Sequence, residues 1–475
     1  MVGIVSYGAY VPLRRLGKGT QGWRSPNEKA VAYYDEDTMT MAVAAAIDCL
    51  GDRDRQTVDG LYFASTTAPY KEKLAATTAA VAVDLRKDIL TSDVGDTLRA
   101  GMSALRMAID TVKAGSAKQL LVTTSDCRLG DPGGALDQIF GDGAAAFLIG
   151  DTDVIATLET SYSVSNELFD FWRADTTKFV RTWEDRWVQE EGYMKVVPPV
   201  VEAFLEKNNL KLSDITKVAL YGNNQRRHGQ VAKKIGITPE QMVDPLYTTV
   251  GNTGTAAAPM QLVSALEDAK PGDTIMVVAY GDGCDVALFK ATDAIANYTP
   301  KRGMKTHLAS KMIFPSYQQY FGFHHQGRDP DSGGGPAASV VAREVEQIYA
   351  LRGTKCKVCG TVQYPPQRVC VKCQTKDQME SFRLSDQRGA IYDRVCDYAA
   401  PVPPYESPAV NMYIDWHCGG RANFQLTDKI NTVEDVPIGM EVEMTFRNIV
   451  NGGGIHHYWW KTMPIRETWM GKEEK

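Results

Sequence analysis

Along residues 1–294 the chain repeats one rhythm: a short apolar run, a stretch with apolar residues at helical spacing, then another apolar run. GIVSYGAY near the amino end, GLYFAST at 60–66 and KVALYGN at 217–223 read as strands, rich in β-branched and aromatic residues and bounded by turn formers. A sharper repetition is FGDGAAAFLIG at 140–150, which returns as YGDGCDVALF at 280–289. Each copy is a hydrophobic residue, a Gly-Asp-Gly turn and an apolar strand. The preceding β-rich stretches repeat with them, so residues 1–155 and 156–300 are predicted to be two similar α/β halves.

After Ala294 the rhythm stops. FPSYQQYFGFHH at 314–325 is aromatic and reads either as a docking segment or as packing on its own domain, and HQGRDPDSGGGPAAS at 325–339 reads as a tether. ASVVAREVEQIYALRG then has helical spacing, giving a linker and docking helix over 301–353. From 381 to about 466 strand follows strand, with turns at 386–389, 401–404 and 419–420, a pattern that predicts a five-stranded barrel of the OB type over 381–475. OB barrels often bind nucleic acid, but Tyr458, Trp459 and Trp460 have no matching basic groove, so core and interface are expected for them.

Length changes the picture little: 475 residues exceed what one core usually organises. A net charge of −6 argues against nucleic acid as the main partner. No run approaches the roughly 18 apolar residues of a membrane span, and the amino terminus reads as a strand and not as a signal segment, so a cytoplasmic protein is expected. Of nine cysteines, four cluster as Cys356-x2-Cys359 and Cys370-x2-Cys373. Two such knuckles on a hairpin supply four thiolates to a tetrahedral ion, which predicts a structural zinc ribbon over 354–380 with no open position for substrate. Disulfides would need secretion, and a rubredoxin-like iron site has the same spacing.

GIVSYGAYVPLRR, YDEDTMTMAVAAAIDCL, FASTTAPYKEK, LRAGMSAL, FGDGAAAFLIG, FDFWR, VGNTGTAAAP and YGDG occur in an order that resembles the thiolase superfamily, and within it the prokaryotic 3-hydroxy-3-methylglutaryl-CoA synthases. Residues 314–466 resemble zinc-ribbon/OB-fold accessory proteins that accompany such enzymes, here fused. The resemblance implies a duplicated five-layer αβαβα thiolase-type fold, followed by the ribbon and a small barrel. It also implies a nucleophilic cysteine, a glutamate acid/base and a histidine. Alignment without gaps puts Leu98 at the cysteine, and a shifted one puts Asp93 there. Thr66 falls at the glutamate, and Tyr221-Gly222-Asn223 at the histidine. Leucine cannot form a thioester.

What the resemblance retains is machinery for a thioester enolate: Asn252 in Gly251–Gly254, the backbone of Gly283 and its turn, and the helix start near Thr97. The expected activity is aldol or retro-aldol chemistry on a β-hydroxyacyl-CoA, with Tyr221, Tyr193, His228 and Glu191 as candidate bases. Acyl transfer or Claisen chemistry through Cys284, which follows the second turn, is the alternative. A non-catalytic scaffold for a partner thiolase or hydratase is another. Coenzyme A would need local cations, and Arg14, Arg15, Lys18, Arg226 and Arg227 are the candidates, unless they are only solvated charge. A homodimer is expected from the same resemblance.

Overall fold

The computed structural model describes residues 1–222, 225–324, 334–399, 408–428 and 433–469. The first half contributes β1 (Gly3–Tyr10), β2 (Gly60–Ala64), β3 (Leu90–Val94), β4 (Leu120–Asp126) and β5 (Gly143–Gly150), and the second β6 (Ala156–Ser165), β7 (Lys217–Leu220), β8 (Thr274–Tyr280) and β9 (Gly283–Ala291). β1, β2, β4 and β5 are buried at every position, which is why they read as continuous apolar runs and not as alternation. All nine strands join one sheet in the order β7-β8-β9-β6-β1-β5-β4-β2-β3.

The halves share a topology. β2 runs parallel to β3 and β4, and β5 is antiparallel to β4 and β1. β7 likewise runs parallel to β8 and to one bridged residue, Met242, which stands where a third strand would lie, and β9 is antiparallel to β8 and β6. The halves meet where Gly3 and Ile4 pair with Thr157 and Ala156. Each Gly-Asp-Gly turn opens the last strand of its half. At Gly283 (φ +120°) a Cβ would come 2.0 Å from the Val164 carbonyl oxygen, so the turn needs glycine to lie against β6.

Helices α1 (Thr38–Leu50), α2 (Ala75–Ala82), α3 (Ala100–Lys113), α4 (Met194–Lys207), α5 (Gln225–Ile235) and α6 (Ala257–Asp268) complete the layers. α3 and α6 touch each other in the middle, α1 and α2 cover the outer face of the first half, and α4 with α5 covers that of the second. Five αβαβα layers result.

The ribbon is a three-stranded sheet of Arg352–Cys356, Val362–Gln363 and Met379–Arg383. Beyond it, β10 (Gly389–Asp397), β11 (Ala409–Trp416), β12 (Arg421–Gln425), β13 (Glu441–Gly452) and β14 (Ile455–Pro464) form a sheet in the order β12-β11-β10-β13-β14, and a bridge from Leu426 to Thr462 draws its two edges together. Alternating burial along β11 gives the sheet a packed and a wet face. Trp460 is fully buried and donates to the Tyr349 carbonyl at 2.7 Å, while Tyr458 donates to Asp37 at 2.7 Å across the domain boundary.

That boundary carries charge. Lys461 bonds Asp35 at 2.8 Å and Tyr34 at 3.1 Å, and Thr427 donates to Asp35 at 2.8 Å. Arg447 pairs with Asp428 at 2.6 Å and also with Glu36. The aromatic segment packs on its own domain: Phe314 and Tyr320 share a cluster with Leu16, Val31 and Tyr33, and Met312–Ile313 pairs with Arg14–Leu16. The helix expected after the tether is broken at Glu344 into Ala338–Arg343 and Val345–Ile348. Positions 325–333 of the tether and the turn at 401–404 lie outside the described residues. Among the described residues, no helix is long and apolar enough to cross a membrane.

Candidate active site

A cavity of about 1110 Å³ opens beyond the carboxyl ends of β2, β3 and β4, where loops from both halves converge, the usual place for a ligand in an open α/β sheet. Its walls include Ser65 and Thr66 after β2, Leu98 before α3, Arg128 after β4, Asp170 and Phe171 after β6, and Gly281 and Asp282 of the second turn.

Asp126, fully buried at the end of β4, ties these loops together. One carboxylate oxygen accepts from Ser65 Oγ at 3.0 Å, Thr66 N at 2.7 Å and Thr67 Oγ1 at 3.0 Å, and the other from Thr66 Oγ1 at 2.9 Å and Thr255 N at 2.8 Å. Thr66, at the position of the expected glutamate, therefore supports the wall through Asp126. At Gly254 (φ +59°) a Cβ would lie 2.4 Å from Asp126 Oδ2 and 2.7 Å from Arg128 Cδ, so this close approach excludes any side chain.

Asn252 is buried beside that glycine. Its Nδ2 donates to Tyr221 Oη at 3.1 Å, and its Oδ1 accepts from Gly254 N at 2.9 Å. These bonds fix the amide behind the cavity wall, whose lining residues do not include Asn252 or Tyr221. Burial holds the Tyr221 phenol above its usual range, with Arg128 opposing. Arg128 itself is buried, its guanidinium 4.2 Å from the Phe140 ring centroid and 5.9 Å from that of Phe171. Asp170 is also buried, accepts from Phe171 N at 2.6 Å and from Tyr280, and is raised by desolvation.

The two residues expected at the cysteine position, Leu98 and Asp93, lie in different places. Leu98 stands just ahead of α3, and a Cβ on Gly281 would meet its Cβ at 2.9 Å. Asp93 instead caps α2, accepting from Ala75 N at 2.7 Å and Ala76 N at 2.8 Å. Arg99 fixes the second turn, pairing with Asp285 at 2.7 Å and donating to the carbonyl oxygens of Gly281 and Asp282.

The other sequence candidates fall elsewhere. Tyr193 is buried behind the site against Tyr280, its hydroxyl without a hydrogen-bond partner among the described residues and its phenol raised by burial. Cys284 is fully buried in β9, where desolvation pushes its thiol up. His228 is packed on Tyr247 with Nε2 3.0 Å from the Leu220 carbonyl, and burial pushes its imidazole down. Glu191 is exposed and pairs with Lys195 at 2.5 Å. Arg14 lies in the core against Tyr33 and Phe314, and Arg15 in the core with Glu28 at 3.6 Å, so neither presents a cation to a ligand. Lys18 and Arg226 are exposed, and Arg227 bonds Gln230 at 3.2 Å. Asn223 lies outside the described residues. Sequence reasoning missed Arg128 and Asp170, and only the position of Arg128 two residues after the β4 aspartate signals it.

In the ribbon, the Sγ atoms of Cys356, Cys359, Cys370 and Cys373 all lie within 4.8 Å of one another, with Cys356–Cys373 at 3.6 Å and Cys359–Cys370 at 3.5 Å. Four ligands at 2.3 Å in a tetrahedron stand about 3.8 Å apart, so the quartet fits one ion with little adjustment.

Residues 205–289 match the family described as 3-oxoacyl-[acyl-carrier-protein (ACP)] synthase III C terminal, and residues 343–380 match ChsH2, rubredoxin-like zinc ribbon domain. The hydroxymethylglutaryl-CoA synthase of Methanosphaera stadtmanae is 31% identical over 340 residues, 68% of this chain and 98% of the relative. That of Methanocaldococcus jannaschii gives the same identity and shares. A solved HMG-CoA synthase complexed with CoA superposes with a TM-score of 0.63 at 17% identity, over 70% of this chain and 92% of the other. The 3-oxoacyl-[acyl-carrier-protein] synthase III of Aquifex aeolicus gives 0.54 at 22% identity, over 61% and 100%.

Proposed function

The chain belongs to the hydroxymethylglutaryl-CoA synthase family of the thiolase superfamily, and from that premise we propose that it acts on a β-hydroxyacyl-CoA by aldol or retro-aldol chemistry without an acyl-enzyme. The carrying observation is Leu98: an aliphatic side chain stands at the mouth of α3, beside the second turn, where the family resemblance places a thiol. Cys284, the alternative nucleophile, is buried and held protonated, which disfavours acyl transfer through it.

In the cleavage direction Asp170 takes the β-hydroxyl proton, the Cα–Cβ bond breaks, a ketone or aldehyde leaves, and the electron pair passes to the thioester as an enolate. The start of α3 stabilises the enolate oxygen, and protonation at Cα completes the reaction. Asp170 suits the role because it lines the cavity and its desolvated carboxyl binds a proton more readily than an exposed one. The four ribbon cysteines would hold a zinc ion that maintains structure. A second copy of the chain is the expected partner.

Calorimetry and intact-mass measurement with acyl-CoA test the proposal together. Binding without a protein mass increase, and release of a carbonyl compound plus a shortened acyl-CoA from a β-hydroxyacyl-CoA, are expected. A stable acyl adduct formed during turnover would refute it.

A further inference from the structure

Resting on the acyl-CoA reading above, we propose that Arg128 binds a carboxylate carried by the substrate, so that the acyl chain ends in an anionic group. The side chain is 6% exposed and lines the cavity, yet its guanidinium has no hydrogen-bond or ion-pair partner among the described residues. Other buried arginines each hold at least one partner: Arg55 has Asp386 at 2.6 Å, Arg447 has Asp428, and Arg466 has Ser310 at 2.8 Å and the Val11 carbonyl. The nearby carboxylates are engaged. Asp126 already accepts from five donors, and Asp170 accepts from Phe171 N and Tyr280.

The Asp126 and Asp170 charges act on Arg128 from nearby, but a buried guanidinium that makes no hydrogen bond is still costly. The aromatic faces of Phe140 and Phe171 supply only part of what water would give it. A planar fork of N–H donors on a cavity wall fits a carboxylate in two-point contact better than it fits a single thioester oxygen. The start of α3 remains for that oxygen, so the two groups divide the substrate between its thioester end and its charged end.

Calorimetry on the full chain with succinyl-CoA and butyryl-CoA tests this, because the probes have equal acyl length and differ in carboxylate against methyl. The wild type is expected to bind succinyl-CoA at least about tenfold more tightly, the worth of one charge-assisted contact. Arg128→Gln is expected to abolish that preference, and Arg128→Lys to restore part of it. Equal affinities in the wild type overturn the inference, and this result needs no variant to fold. Equal weakening of both probes by Arg128→Gln also overturns it, because the guanidinium would then serve the shared thioester. Binding of neither probe overturns the acyl-CoA reading as well.

Discussion

Arg447→Met is expected to loosen the seam between the thiolase-type domain and the carboxy-terminal sheet, by an amount that depends on pH. Arg447 is 1% exposed and lies among Asp428 at 2.6 Å, Glu36, and Asp35 at 4.0 Å. Asp35 keeps Lys461 and Thr427 when the guanidinium is gone, and Glu36 keeps Tyr10 and the Tyr33 N–H. Asp428 keeps no hydrogen bond, since Oδ2 bonds only Arg447 and Oδ1 has no partner among the described residues, and only the more distant Arg14 charge remains. Removing one member of such a buried pair costs about 3–5 kcal/mol. Burial already raises the Asp428 carboxyl to about 6, against the pull of Arg447. An acid raised on folding takes up a proton as the chain folds, so its contribution is full below the unfolded pKa of about 3.9 and is lost as pH rises through the folded value. In the wild type that window ends near 6. Without Arg447 it extends upward, at about 1.4 kcal/mol for each unit of further shift. Urea unfolding followed by tryptophan fluorescence should therefore show a larger cost near pH 8 than near pH 5. A cost below about 1 kcal/mol, or one equal at both pH values, refutes the reasoning.

Gly254→Ala should weaken acyl-CoA binding at least tenfold and lower stability by about 1–3 kcal/mol, read by calorimetry and thermal melting, because its Cβ would press on Asp126 in a left-handed backbone. Asp170→Asn should abolish release of the carbonyl product while leaving acyl-CoA bound, which separate turnover and calorimetric assays distinguish. Metal analysis should find one zinc per chain, and Cys359→Ser should lose it, with the ribbon becoming protease-sensitive. Tyr70→Phe strands the His456 backbone N–H, now bonded at 2.7 Å, and should cost about 1 kcal/mol in the same unfolding assay.

The duplication was legible because both Gly-Asp-Gly turns need glycine where other backbone closes in, Gly141 on the Val250 carbonyl and Gly283 on that of Val164, a constraint written locally in the sequence. The ribbon was legible for the same reason: its four thiols lie within 18 residues of sequence. The candidate site was less legible. Asn252 and Tyr221 came from motif order, and the structure brings them within hydrogen-bond distance. Arg128 and Asp170 were not legible, because the cavity is assembled from loops far apart in the chain and no local spacing links them. Arg14 and Arg15 looked like surface cations, yet the aromatic segment at 314–320 folds over the β-strand that carries them, and a strand partner more than 290 residues away leaves no trace in local pattern. Glu191 and His228 do not line the cavity, and helical spacing does not show this: Glu191 faces solvent with Lys195, while His228 is turned into the interior against the Leu220 carbonyl.

The backbone N–H of His456, at the start of β14, holds the hydroxyl of Tyr70, whose strap lines the cavity rim, and their rings stand 5.0 Å apart. A catalytic half supplied on its own would therefore start with that strap unanchored. Joining both parts in one polypeptide guarantees that every active centre is born with its brace, in equal number and with no search for a mate. Proteolytic separation of the two should then slow turnover even where the metal knuckles stay intact.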